Sequence, residues 1–281
     1  MNQDISICVL TEDEMGWTEP FELDKVQILD NYYLSAQKSD IAFLKKMDTA
    51  RLLAGFRTTA GIDTKGVRPY GGWEDSLLGG HCVGHYLTAL AQAVKVTGDK
   101  ELKEKSQTLI AGLEECQKKL GTGFLFGAKV EDKEDVEKQF DILEGKKKGE
   151  TWVPWYNMHK VLAGLVDTYK YTGNETALLV AEKLGDWIYE RVSKWDLKTN
   201  QKVLETEYGG MNDCLYELYS YSHNKHHLEA AQKFDEKALF LMAAKGEKNC
   251  LDGKHANTQI PKFIGAVKRY NVLKQLGEAK Q

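Results

Sequence analysis

The sequence predicts an all-helical protein, an (alpha/alpha) toroid in which helical hairpins stand side by side around a ring. Three observations predict it. Apolar residues recur at three- and four-residue spacing along most of the 281-residue chain, while strand-like alternation is almost absent. Only 4 prolines interrupt the pattern. One hairpin also recurs along the chain, and hairpins that cannot bury their apolar faces singly do so by stacking.

The elements follow in chain order. Residues 1–19 read as an N-terminal extension of one domain spanning 1–281. Residues 84–97 place Tyr86, Leu87, Leu90 and Val94 on a buried helix face, Gly98-Asp99 breaks the run, and 100–119 forms a second amphipathic helix. The pair recurs at 157–172 with 174–193, and at 210–222 with 225–245. Residues 169–183 align without a gap on 219–233, with Tyr169 on Tyr219, Tyr171 on Tyr221, Asn174 on Asn224, Leu178 on Leu228 and Ala181 on Ala231. Residues 94–108 are a looser third copy. An open solenoid and a closed ring both accommodate such units. The charged stretch 128–150 reads as a solvated surface excursion, with a mobile flap over a cavity mouth as the alternative.

Composition excludes several function classes. Lys+Arg 38 against Asp+Glu 42 leaves a net charge of -4, with no electrostatic reason to expect nucleic acid or an anionic membrane as partner. No apolar run approaches the roughly 20 residues that cross a bilayer. The start, MNQDISICVLTEDEMGW, lacks a basic segment followed by an apolar one, so no signal peptide is read and a cytoplasmic location is expected. Cys8, Cys82, Cys116, Cys214 and Cys250 are scattered and form no C-x-x-C pair. They read as small buried apolar residues, outside any disulfide framework or all-cysteine zinc site.

The segments that feed the first helix of each hairpin favour the ring. They are 68–74 (RPYGGWE) with 79–85 (GGHCVGH), 151–159 (TWVPWYNMH), 206–212 (TEYGGMN) and 252–259 (DGKHANTQ). Between them they gather glycine, aromatic rings and His or Asn just before apolar helices. In a toroid those helix starts face a central cavity, whereas plain solenoid connectors do not call for this chemistry every time.

The chemistry suits a sugar. Hydroxyls pair with His, Asn, Gln and carboxylates, and the C–H face of a sugar ring packs on an aromatic plane. Candidate planes are Tyr70, Trp73, Trp152, Trp155, Tyr156 and Tyr208, and candidate polar ligands are His81, His85, His159, His255, Asn212, Asn257 and Gln259. His223, His226 and His227, in a polar SHNKHH turn, read as solvent-facing. No close ligand spacing such as H-E-x-x-H occurs, and no metal is expected. A glycosidase places two carboxyl groups about 5–9.5 Å apart. Glu74, Asp75, Glu205, Glu207, Asp213 and Asp252 are available, but nothing in the sequence pairs them, and acidic residues at helix starts also serve as caps.

Residues 84–90 (GHYLTAL), 152–160 (WVPWYNMHK), 207–212 (EYGGMN) and 255–262 (HANTQIPK) closely resemble the beta-L-arabinofuranosidase family, glycoside hydrolase family 127 and its relatives. Residues 20–29 and 51–57 look like the same family's N-terminal segment. The resemblance implies an (alpha/alpha)6 barrel followed by beta domains. It implies retaining exo-hydrolysis of beta-L-arabinofuranosides through a cysteine nucleophile that also ligates zinc, together with other cysteines and a glutamate. By motif, His159 and His255 are the residues it assigns to the sugar, with His85 or His81 from the first motif.

The family's acid/base glutamate, zinc-ligand glutamate and cysteine cluster all follow the HANTQ motif, and none of the five cysteines here matches the nucleophile's motif. The expectation is therefore an incomplete barrel, truncated at its C-terminus, with no cofactor of its own. Its partners would be an arabinose-containing glycan and a missing C-terminal portion or second chain, and whether the chain turns over substrate is left open. Two alternatives stand beside this reading. One is another alpha/alpha-toroid enzyme, such as a sugar epimerase or unsaturated-uronide hydrolase. The other is a non-catalytic helical-repeat binding module.

Overall fold

A computed structural model describes residues 20–247 and 250–275, so the N-terminal extension and Cys8 lie outside the described residues. Among the described residues the chain is all helix, without a strand. Helices α1 (Asn31–Lys46) and α2 (Thr49–Thr59) precede the hairpin of α3 (His81–Thr97) and α4 (Lys100–Leu120). A short α5 (Lys138–Leu143) precedes the hairpin of α6 (Pro154–Thr172) and α7 (Glu175–Val192). Then come α8 (Leu197–Leu204), α9 (Met211–Ser222), α10 (Lys225–Lys233), α11 (Lys237–Ala244) and α12 (Ala256–Gln275).

The three repeated hairpins turn by one device. The first helix ends on a left-handed residue, Gly98 (φ 67), Gly173 (φ 68) or His223 (φ 51). The next residue, Asp99, Asn174 or Asn224, then caps the second helix by accepting from the amide of Leu102, Ala177 or His226. The alignment read from the sequence is thus an alignment of turns. Packing places α3, α6, α9 and α12 side by side in that order, with α4, α7 and α10 forming a second layer behind them. This two-layer, all-helical arrangement is that of an alpha/alpha toroid.

Three details depart from the sequence reading. Residues 225–245 form two helices, because the chain breaks at 234–236. The break seats Phe234 fully buried against Trp155 and Trp195. It also delivers the buried Asp235 to the Tyr216 hydroxyl (2.7 Å) and the Arg269 guanidinium (3.3 Å). A continuous helix would carry both side chains away from these partners.

The stretch 128–150 is solvated only in part: residues 131–134 and 145–150 are exposed, but 137–144 is anchored to the core. Phe140 is fully buried, and Arg191 of α7 donates to three carboxylates of this segment, Glu144 (2.6 Å), Glu137 (2.9 Å) and Asp141 (2.5 Å). Three of its carboxylates converge on one buried guanidinium. The third correction concerns His227, which is fully buried, with Nδ1 2.8 Å from Ser222 Oγ and Nε2 3.3 Å from Asp186. Gly185 makes the room, since a Cβ there would lie 2.7 Å from the imidazole. His223 and His226 are exposed, the latter stacked on Tyr189 with centroids 4.0 Å apart.

Cys116 and Cys214 are buried, Cys82 and Cys250 half-buried, and all four thiols are free. On α12, Ile260, Ile264 and Val267 form an exposed apolar stripe at i, i+4 and i+7. No helix among the described residues is long and apolar enough to cross a membrane.

Candidate functional site at the starts of the front helices

The first segment closes on itself through Glu74. Residues Gly72–Asp75 form a 3-10 turn that tucks this carboxylate under the start of α3. There it accepts from the amides of Gly80 (2.9 Å) and Cys82 (3.2 Å), capping a helix whose first turn carries no acidic residue of its own. Glu74 Oε1 also lies 2.9 Å from His81 Nδ1, which is 2.8 Å from Leu78 O as well. Two acceptors on one nitrogen place the proton on Nδ1, so Nε2 carries the lone pair. Burial works against the Glu74 charge, but the hydrogen bonds from His81, Gly80 and Cys82 outweigh it and hold the carboxyl below its usual range.

His81 is the hub of an aromatic cluster. Its ring lies 6.3 Å from Trp73, 6.2 Å from His85 and 6.5 Å from Tyr156, the last on α6. Trp73 and His85 are exposed, Tyr156 is half-buried and His81 is buried. Tyr156 joins the second segment to the first and stands 6.4 Å from His159. One turn further along the same face, Lys160 holds its ammonium 4.8 Å from the Tyr156 ring centroid.

His159 joins the third segment. Its buried Nδ1 accepts from the Gly210 amide at 3.0 Å, which leaves the proton on Nε2 as a donor. Gly209, with φ 60, passes so near that a Cβ would lie 2.4 Å from Nδ1, so this turn tolerates only glycine. Burial, reinforced by the positive charge of Lys160, pushes the His159 imidazole well below its ordinary pKa. The fourth segment arrives through Asn257, whose amide donates to Glu207 at 3.2 Å. His85, Tyr156, His159 and Asn257 thus share the helix starts on one end of the front layer, with Trp73 beside them.

Several other expected ligands serve the core or the fold instead. Trp155 is fully buried in the core, ringed by Phe140 (4.9 Å), Phe234 (5.0 Å) and Trp195 (5.5 Å). It sits about 100° around α6 from Tyr156, and that rotation separates core from site. Tyr208 is likewise fully buried against Phe234, and Asn212 is spent on the carbonyl of Lys262 (3.2 Å). Trp152 and His255 are exposed, the latter just before the start of α12, and Gln259 is half-buried with an unpartnered Oε1. Tyr70 serves structure: its hydroxyl accepts from the Asp48 amide at the α2 start at 2.8 Å.

Sequence reasoning undervalued two residues. Glu74 was one of six carboxylates, and only the fold singles it out as the partner of His81. Lys160 carried a readable signal, since i and i+4 put it on the Tyr156 face. Among the remaining carboxyls, burial pushes Asp213 on α9 up to about 6. The donor set does not fit a zinc site of several cysteines and a glutamate: among the described residues the one group able to hold a metal contains the single thiol of Cys82.

The profile of the beta-L-arabinofuranosidase GH127 catalytic domain matches residues 25–280. No curated protein matches the chain. Among solved structures, the chain is similar to a GH127 beta-L-arabinofuranosidase from Geobacillus stearothermophilus T6, with TM-score 0.50 and 16% identity over 91% of this chain and 40% of that one. A second GH127 beta-arabinofuranosidase gives TM-score 0.57 and 16% identity over 92% of this chain and 41% of that one. The chain thus spans about two fifths of the length of these structures, and the likeness bears on the fold.

Proposed function

The chain belongs to the GH127 beta-L-arabinofuranosidase catalytic-domain family, and on that premise we propose that it forms a sugar-binding wall for an L-arabinofuranosyl group. The observation that carries this reading is the gathering of Trp73, His81, His85, Tyr156, His159 and Asn257 at one end of the front helices. Trp73 offers an exposed plane, and the His159 Nε2–H, the Lys160 ammonium and the Asn257 amide are donors suited to hydroxyls. The proposal is for binding ahead of turnover. Among the described residues the one group able to hold a metal has a single thiol, which gives no support to hydrolysis through a cysteine cluster. The apolar stripe on α12 is proposed as the face on which further helices of the ring pack.

Two measurements test this. Calorimetry of L-arabinose into the purified chain is expected to show binding that weakens at least tenfold in Trp73→Ala. Undiminished affinity in that variant would place the sugar elsewhere. An aryl beta-L-arabinofuranoside should release little or no arabinose, and robust turnover would overturn the binding-only reading.

A further inference from the structure

We infer that His81 and Cys82 form a binding site for a soft divalent cation such as Zn2+, with Glu74 orienting the histidine from behind. No metal-ligand spacing is visible in the sequence, because the two ligands are neighbours at the first turn of α3 and their orienting carboxylate arrives from a separate turn.

The geometry is that of a carboxylate–histidine–metal triad. Glu74 Oε1 and Leu78 O fix the proton on His81 Nδ1, at 2.9 and 2.8 Å. The lone pair of Nε2, on a side chain more than nine-tenths buried, therefore faces Cys82, whose Sγ lies 3.7 Å away as its hydrogen-bond partner. In a tetrahedral zinc site, bonds of about 2.3 Å to sulfur and about 2.0–2.1 Å to nitrogen put the two ligand atoms about 3.6 Å apart. The observed separation matches, and ligand atoms of Glu74, His81 and Cys82 all lie within 4.8 Å of one another.

The ligand types select the metal. Thiolate with imidazole suits zinc, while magnesium and calcium prefer oxygen. Without a cation, burial and the nearby Glu74 charge push the Cys82 thiol up to about 12. Binding therefore displaces the thiol proton to solvent as the S–metal bond forms, and affinity rises with pH. Two protein ligands leave open positions, to be taken by water or sugar hydroxyls, and the His81 ring already touches Trp73, His85 and Tyr156.

This site does not depend on arabinose binding, so it is tested with the metal alone. Cobalt(II) titrated into the reduced chain is expected to give one equivalent of a thiolate-to-cobalt charge-transfer band, bleached by added zinc. Cys82→Ser should abolish the band, and Glu74→Gln should weaken cobalt binding about 10–100-fold. Circular dichroism and the thermal transition of Cys82→Ser confirm that it stays folded. Absence of the band in the wild type would show that the pair is only a thiol–imidazole hydrogen bond, and a band undiminished in Cys82→Ser would assign it to another cysteine. Either result overturns the proposal.

Discussion

Gly84 of α3 and Gly164 of α6 meet where the two helices cross: a Cβ on Gly84 would lie 1.9 Å from the Lys160 carbonyl oxygen, and one on Gly164 2.5 Å from that of Gly84. The helices can approach this closely only with hydrogen at both positions. The crossing fixes His81 and His85 of one helix against Tyr156 and His159 of the other. Gly84→Ala is therefore expected to destabilise by about 1–3 kcal/mol or more through overpacking against rigid backbone, read as a lower urea midpoint. It should weaken arabinose binding in the same protein, because the two halves of the site are pushed apart.

Arg191 is the tether of residues 137–144. Arg191→Met leaves the fully buried Glu144 side chain without its guanidinium, and breaking a buried pair on one side costs about 3–5 kcal/mol. The effect has a pH signature. Burial raises Asp141, but the hydrogen bonds from Lys147 and Arg191 outweigh it and hold its carboxyl below the usual value. A depressed carboxyl contributes stability above its unfolded pKa of about 3.9 that is lost as pH falls through the folded value. The difference in urea midpoint between wild type and Arg191→Met should accordingly narrow in strong acid.

His159 has the opposite sign. Its imidazole titrates well below 6.5 in the folded chain because it is buried. The unfolded chain therefore takes up protons first as the pH drops, so the associated stability is complete above about 6.5 and declines below it. His159→Phe should unfold more easily at pH 7.5, by about 1–3 kcal/mol, since the Gly210 amide loses its acceptor. It should also lose less stability than the wild type between pH 7 and pH 5.5. An unchanged pH slope would mean that other buried groups dominate the titration.

His223 holds φ 51 at a turn where the two sister hairpins use Gly98 and Gly173. A left-handed conformation costs a non-glycine residue roughly 1–2 kcal/mol. His223→Gly is expected to recover about 1 kcal/mol of it, since the unfolded chain also gains freedom with glycine. Thermal unfolding of the exposed-turn variant reads this directly.

The repeated turns explain why so much of the fold was legible. The break at Gly98-Asp99 and its counterparts announces a left-handed stop and a new cap, which are local chemistry. The interruption at 234–236 carries no such punctuation; it exists because Phe234 and Asp235 have tertiary partners. The same holds at the site. The segments that converge were readable from their glycine, aromatic and histidine content, and Gly209-Gly210 beside His159 gives that composition its physical reason. Which aromatic faces the ligand depended on rotation around a helix, and there Tyr156 and Trp155, adjacent in sequence, part company. The carboxylate partner of His81 was hidden because its distance in space is set by a 3-10 turn.

The three salt bridges of Arg191 bear on how the chain assembles. Each hairpin turn joins residues a few positions apart, so its ordering can begin at once and at little cost in loop closure. Arg191 must instead find partners 47, 50 and 54 residues earlier. Docking of 137–144 thus belongs to the late, non-local part of folding, with the hairpins as its template. Mutations at the hairpin turns should act on the early steps, and those at Arg191 chiefly on the rate at which the finished fold comes apart.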